Sequence, residues 1–384
     1  MSKWRDALAP HAAALRIFAA WKTVLTLVLA STPLAFYELP HFNQHARFFT
    51  RGIYPLFRPF FQWDGEHYMS IAVSGYMGGD PSSQAFYPGL PMLVRAAAFV
   101  VRSPIAAGLL VSTLLTLAFV VVYTRYADTL KPGCGPLAAI VVLCHPMALC
   151  LAIVYSEALF LALLAGFLCF RHSERQWIAW GCAFGLPLSR GQGLMVAATF
   201  VGFAGLMIIA GRWRGDELRR GVAQSIAFVV GVAALFGIMA LATGDPWALF
   251  NAQQYFTFNN SIANIFDVEQ TWTFLTRRPV LIFDYLNGWL DKIFVFLALA
   301  LLGLLYRSGD GLRVCLAAAL TVVPILMGEG GSFARFSFLP FVLVAPEIAA
   351  RFKDRLGMAW AILVPCATLQ ILFSLRFAFN LWVS

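Results

Sequence analysis

Long stretches of this chain have no polar face at all. Residues 103–124, 132–156 and 221–244 contain no Asp, Glu, Lys or Arg, and each reaches or exceeds the roughly 18–20 apolar residues that cross a bilayer core. A run that is apolar on every side predicts a helix surrounded by lipid, not an amphipathic helix lying on a soluble core. Short basic interruptions separate these runs. The pattern predicts an all-α, polytopic transmembrane bundle of about eleven helices, with a single membrane domain over 1–384. The predicted spans cover about 16–37, 103–124, 132–155, 156–170, 177–190, 191–211, 221–241, 292–306, 314–328, 336–349 and 356–376. There is no heptad pattern, internal repeat or low-complexity tail. The first apolar run starts late and leads into further spans, so no cleavable signal peptide is expected.

Composition sharpens this picture. Hydrophobic residues make up 60% of the chain and charged residues 12%, against about 45–50% and about 25% in soluble domains. A soluble globule of this composition could not cover its surface; disorder, a coiled coil and a disulfide-stapled module are excluded as well. The seven cysteines stand singly in apolar runs with no CxxC pair, and read as small core hydrophobes rather than metal ligands.

Charge then orients the bundle. The net charge is +9, which in a membrane protein points to the positive-inside bias rather than to nucleic acid. The basic connections are Lys3 with Arg5, then 125–131, 171–175, 212–220, 307–313 and 351–355. Placing all of them in the cytoplasm leaves residues 1–15 inside and the C-terminus outside. Only five basic residues are lysine, a bias that fits a GC-rich prokaryotic genome. The expected location is a bacterial plasma membrane with an extracytoplasmic site (in a eukaryote, the endoplasmic reticulum with a lumenal site). Met92–Val101 is apolar but short, and Arg95 and Arg102 interrupt it, so an interfacial or re-entrant helix is predicted. Two long outer connections remain, 38–102 and 243–291. The second is rich in aromatics and amides, and long loops beside a bundle are usually functional.

Polar groups near a membrane are costly and mark function. The outer ends collect Trp63-Asp64-Gly65-Glu66-His67-Tyr68, then Tyr87, then Tyr155-Ser156-Glu157, then Ser189-Arg190-Gly191-Gln192, and finally Glu329-Gly330-Gly331-Ser332 with Arg335. Acids, a histidine and arginines gathered on one face are what an active site requires.

The run WDGEHYMSIAVSGY followed by AFYPGLP resembles the signature of the PIG-V family, the second mannosyltransferases of GPI anchors and their bacterial relatives among the GT-C membrane glycosyltransferases. HPMALCLAIVYSEALF, LSRGQGL and SFARFSFLP agree in order and spacing, so the similarity extends from about Trp63 to Pro340. The chain departs from the pattern at Arg190-Gly191-Gln192-Gly193, where the family shows Arg-Ser-Asn-Gly. The connection 243–291 has no counterpart in it. The resemblance implies a GT-C-like bundle and transfer of a mannose-like sugar from a polyprenyl-phosphate donor. The acceptor would be a glycolipid or another extracytoplasmic hydroxyl, and the partners are these substrates and membrane lipids.

The residue chemistry fits that reaction. A sugar phosphate already carries a good leaving group. One carboxylate can deprotonate the acceptor, and arginines can neutralise the departing phosphate; the step needs no metal or other cofactor. An inverting displacement follows by analogy with inverting glycosidases. Asp64 is the expected base, with Glu66 as rival and His67 orienting either acid or holding phosphate. Trp63, Tyr68, Tyr87, Tyr155, Glu157, Arg190, Gln192 and Arg335 are the expected substrate-binding residues. Each has a structural reading too. Asp64 could be a helix N-cap, Glu157 and Arg190 a buried pair locking two helices, and each arginine a snorkelling side chain. Gly330-Gly331 could form an anion-binding concavity or a plain turn. Arg47, Arg51 and Arg58 among aromatics predict an interfacial segment that anchors or guides lipid. His145 before Pro146 predicts a kinked helix with a satisfied core histidine, and Asn259-Asn260-Ser261 is formally a glycosylation sequon. The competing class is a lipid or sugar-lipid transporter or flippase, which favours inverted repeats and midplane helix breaks. A non-catalytic assembly subunit is the third reading, and one that need not keep two acids beside a tryptophan.

Overall fold

The computed structural model describes residues 11–36, 55–78, 80–256, 262–279, 281–282, 288–327, 332–381 and 383. Among them every regular element is helical. In chain order the α-helices are α1 (Ala12–Phe36), α2 (Asp64–Ser74), α3 (Gly89–Val101), α4 (Pro104–Leu130), α5 (Gly135–Leu143), α6 (Ser156–Phe170), α7 (Gln176–Ser189), α8 (Gly191–Ile209), α9 (Gly215–Thr243), α10 (Ala248–Asn251), α11 (Val268–Thr276), α12 (Trp289–Tyr306), α13 (Gly311–Leu326), α14 (Phe333–Phe352) and α15 (Leu356–Ala378). Short 3-10 turns at Pro55–Phe60, Pro81–Ala85, Pro146–Leu151, Ala252–Tyr255 and Ile262–Phe266 join them.

Among the described residues seven helices, α1, α4, α8, α9, α12, α14 and α15, are long and apolar enough to cross a membrane. Their outer faces are strongly apolar: Leu241 is 91% and Ile209 86% exposed, side chains suited to lipid. This is a multi-pass membrane architecture. Helices α6, α7 and α13 also cover predicted spans but have only 15, 14 and 16 residues. Helix α3 has 13, about 20 Å at 1.5 Å per residue and well short of a ~30 Å core. Its Phe99 and Val100 are largely exposed.

The bundle has two distinct ends. Helix α13 begins at an ion cluster in which Arg313 pairs with Asp310 at 2.8 Å and with Glu347 at 3.0 Å, while Lys131 reaches Glu347 at 2.9 Å. At its other end Val323 and Met327 line a cavity. Glu347 stands near the C-terminus of α14 and Arg335 near its N-terminus. The basic connections at 307–313 and 351–355 and the candidate site therefore occupy opposite ends of the same two helices.

One predicted span is different. Residues 132–155 do not form a single kinked helix. Helix α5 ends at Leu143, His145 is extended (φ −60, ψ 134), and a 3-10 turn follows. Pro146 lacks an N–H and disfavours the helical region for the residue before it, so the helix breaks. His145 caps the new turn by accepting from Met147 N at 3.2 Å. A break inside a bundle leaves carbonyls that lipid cannot satisfy, and neighbouring helices supply the donors. Gln370 Nε2 donates to Leu143 O and His145 O at 2.9 and 3.0 Å, Thr116 to Leu151 O, Lys22 to Ala152 O and Ser112 to Ile153 O. Replacing Gln370 by Leu should orphan two carbonyls at ~1–3 kcal/mol each. Thermal unfolding in detergent should show a clear fall in Tm; an unchanged Tm would mean that other donors serve this break.

Candidate functional site

The site is assembled from four helix ends. Phe60–Trp63 turns sharply before α2, and Val154 N donates to Phe60 O at 2.9 Å. That bond fastens the corner before α2 to the corner before α6, placing Asp64 beside Glu157. Trp63 holds the turn at φ 55, ψ −120, a conformation costly for a residue with a Cβ; such strain collects at functional sites. Arg190 is the sole residue between α7 and α8, extended at φ −176, ψ 171. The hairpin is tight because Gly193 lies against Leu186 O, where a Cβ would sit 1.8 Å away. Arg335 projects from the first turn of α14.

These ends bring two acids and two arginines into contact. Arg335 Nη2 donates to Asp64 Oδ2 at 2.7 Å, and Arg335 Nε lies 2.9 Å from Glu157 Oε1. The same Glu157 oxygen is 2.8 Å from Arg190 Nη1. Arg190 Nε donates to Gln192 Oε1 at 2.7 Å. The Phe336 ring packs against both guanidinium groups, at 5.7 Å from Arg190 Cζ and 5.5 Å from Arg335 Cζ, while the Tyr155 ring packs on Arg335 at 5.3 Å. Such cation–π contacts hold planar guanidinium groups in place. The formal charges of the four groups sum to zero.

Burial separates their roles. Glu157 is 1% and Arg190 5% exposed, whereas the Asp64 side chain is 25% exposed. Glu157 is the buried anchor, and Asp64 the acid that reaches open space. That space is a cavity of about 790 Å³ lined by Trp63, Asp64, His67, Tyr68, Tyr87, Arg190, Gln192 and Arg335, together with residues missed from sequence. Leu194, Met195, Ala198, Val323 and Met327 give it an apolar wall. Leu249, Phe250, Gln253, Tyr255 and Phe256 bring in the second long connection. Ala198, on α8, is an exposed member of that wall.

Of the eleven candidate residues, eight line this cavity and three do not. Glu66 is 2% exposed and lies two positions beyond Asp64 on α2, where helical geometry turns it away from the face Asp64 presents. It stands outside the cavity lining, and what reads as one turn of loop is the first turn of a helix. Asp64 is likewise not an N-cap, because Trp63 holds that position and α2 starts at Asp64 itself. Glu157 lies behind the arginines and binds them, not the cavity, which is the buried-pair reading extended to a second arginine. Tyr155 is aligned with the small chamber on the far side of Asp64 and Arg335. His67 lines the cavity, with Nδ1 3.0 Å from Ser83 Oγ and its ring stacked on Phe86 at 4.4 Å. Tyr68 donates to Ser156 Oγ at 2.7 Å. Burial, with the Asp64 charge adding to it, pushes its phenol above the ordinary value, so it stays a neutral donor.

Phe60 and Phe61 pack in the core instead of facing lipid, which removes them from the predicted interfacial segment. Arg47, Arg51, the glycine pair Gly330-Gly331 and Asn259–Ser261 lie outside the described residues. Sequence reasoning missed Phe86, Phe256, Phe336 and Asp291. Asp291 accepts from Ala334 N at 2.8 Å, next to Arg335; an Asp-Lys pair at the head of an apolar run was the available signal. No family model matches the chain, and no curated protein matches it.

Proposed function

We propose that this chain is a membrane glycosyltransferase that moves a sugar from a polyprenyl-phosphate donor to a hydroxyl acceptor with inversion. One observation carries the reading. A partly exposed carboxylate and two arginines line a single cavity whose other wall is apolar. A lipid-linked sugar phosphate presents that same combination of anion, hydroxyls and hydrocarbon. Asp64 Oδ2 is held by Arg335, and the remaining oxygen can accept the acceptor's proton. The acceptor oxygen then bonds to the anomeric carbon while the bond from that carbon to the phosphate oxygen breaks. Polyprenyl phosphate leaves with the electron pair, steadied by Arg190. The resemblance to the PIG-V motifs supports mannose as the sugar. The basic connections at the opposite end of α13 and α14 support a site outside the cytoplasm, and the resemblance supports a GT-C-like bundle.

The test is transfer in lipid bilayers by the purified protein, with a radiolabelled mannosyl polyprenyl phosphate and a hydroxyl-bearing lipid extract. Formation of labelled product with release of polyprenyl phosphate is expected, and failure of every polyprenyl-phosphate sugar to donate removes the reading. Arg190→Ala should weaken donor binding about 10-fold or more, the loss of a hydrogen bond to a charged group. Unchanged donor affinity with altered acceptor preference would reassign Arg190.

A further inference from the structure

Helix α14 begins without a cap of its own. Ser332 occupies the N-cap position at φ −134, ψ 19, and its side chain accepts no bond from the first turn. The first backbone N–H groups of a helix need a partner when buried, and one comes from a different helix. Asp291 Oδ1 accepts from Ala334 N at 2.8 Å. Asp291 is 2% exposed and lies in the first turn of α12. One buried carboxylate thus sits at the N-termini of two helices, where the positive ends of both favour its charge. The residue after Ala334 is Arg335, which holds Asp64 at 2.7 Å and Glu157 at 2.9 Å. The neighbouring Lys292 donates to Leu275 O and Arg277 O and so ties α11 to the same helix start.

We propose that Asp291 is the positioning residue of the site, capping α14 from outside and thereby fixing where Arg335 presents Asp64 to the cavity. The consequence for catalysis rests on the transferase reading; the capping role does not. A displacement of about 1 Å in a catalytic group can lower a rate about 100-fold. Asp291→Ala should lower kcat about 10- to 100-fold while the KM for donor changes little, because Arg190 keeps its own partners. Asp291→Asn keeps an acceptor oxygen and should recover most of the rate. In an Arg335→Ala background, Asp291→Ala should cost nothing further, since residues acting as a unit are not additive.

Two measurements decide the matter separately. Hydrogen exchange over the first turn of α14 should quicken at least 10-fold in Asp291→Ala and stay near parental in Asp291→Asn. Should the alanine variant fail to fold, Asp291→Ser, polar but too short to reach Ala334, takes its place. Unchanged exchange, or rate losses that multiply independently with Arg335→Ala, would overturn the positioning role. The expected exchange pattern in a protein that transfers no sugar would leave the capping in place and defeat the transferase reading.

Discussion

Replacing Asp64 by asparagine is expected to abolish sugar transfer while leaving the fold and donor binding nearly intact. The side chain keeps its size, and the amide oxygen can still accept from Arg335 Nη2, now 2.7 Å from Oδ2. What disappears is the capacity to take a proton. General-base catalysis contributes about 100- to 10,000-fold, so the remaining turnover should fall by at least that factor. Asp64 is a quarter exposed, and Arg335 retains its second acid, Glu157, so the loss of one charge leaves the arginine paired. The checks are transfer rate, donor affinity and Tm on one preparation. A variant that transfers at the parental rate sinks the assignment of the base. A variant that loses donor binding along with transfer would make Asp64 a binding residue.

The second large effect concerns stability. Glu157→Ala should destabilise the protein by about 3–5 kcal/mol, because removing one partner of a buried pair leaves uncompensated charge. Here the consequence is doubled: the glutamate is 1% exposed, and the same oxygen neutralises both Arg190 and Arg335. Arg335 keeps Asp64, whereas among the described residues Arg190 keeps the Gln192 oxygen and the Phe336 ring. Adding Arg190→Ala to Glu157→Ala should therefore restore part of the lost stability. Unfolding monitored by intrinsic fluorescence in detergent reads both changes. Strictly additive losses would show that Glu157 and Arg190 do not act as a pair.

The chain disclosed its class readily because the relevant signal is local. Runs without charge predict helices in lipid whatever their neighbours do, and every predicted span contains helix. The span around His145 shows the limit. Pro146 announced a distortion, but whether the helix would bend or break depended on donors from Thr116, Lys22 and Gln370, far away in sequence. The site behaved the same way. Asp64, Glu157, Arg190 and Arg335 could be picked out as costly groups at helix ends, and they do meet. Their division of labour could not be read, since it follows from which acid lies behind the arginines and which in front. That Glu66 falls outside the cavity lining could not be read either, because the start of α2 at Asp64 depends on a strained Trp63 backbone that no local propensity favours. Asp291 was missed because capping from a neighbouring helix leaves no mark near the residue it serves.

The one-residue joint between α7 and α8 has a mechanical consequence. A guanidinium mounted there has no slack on either side, so neither rod can slide or roll without dragging the positive charge along. Any movement of α7 against α8 must therefore register at Arg190, making this junction a natural gauge of motion between those two helices.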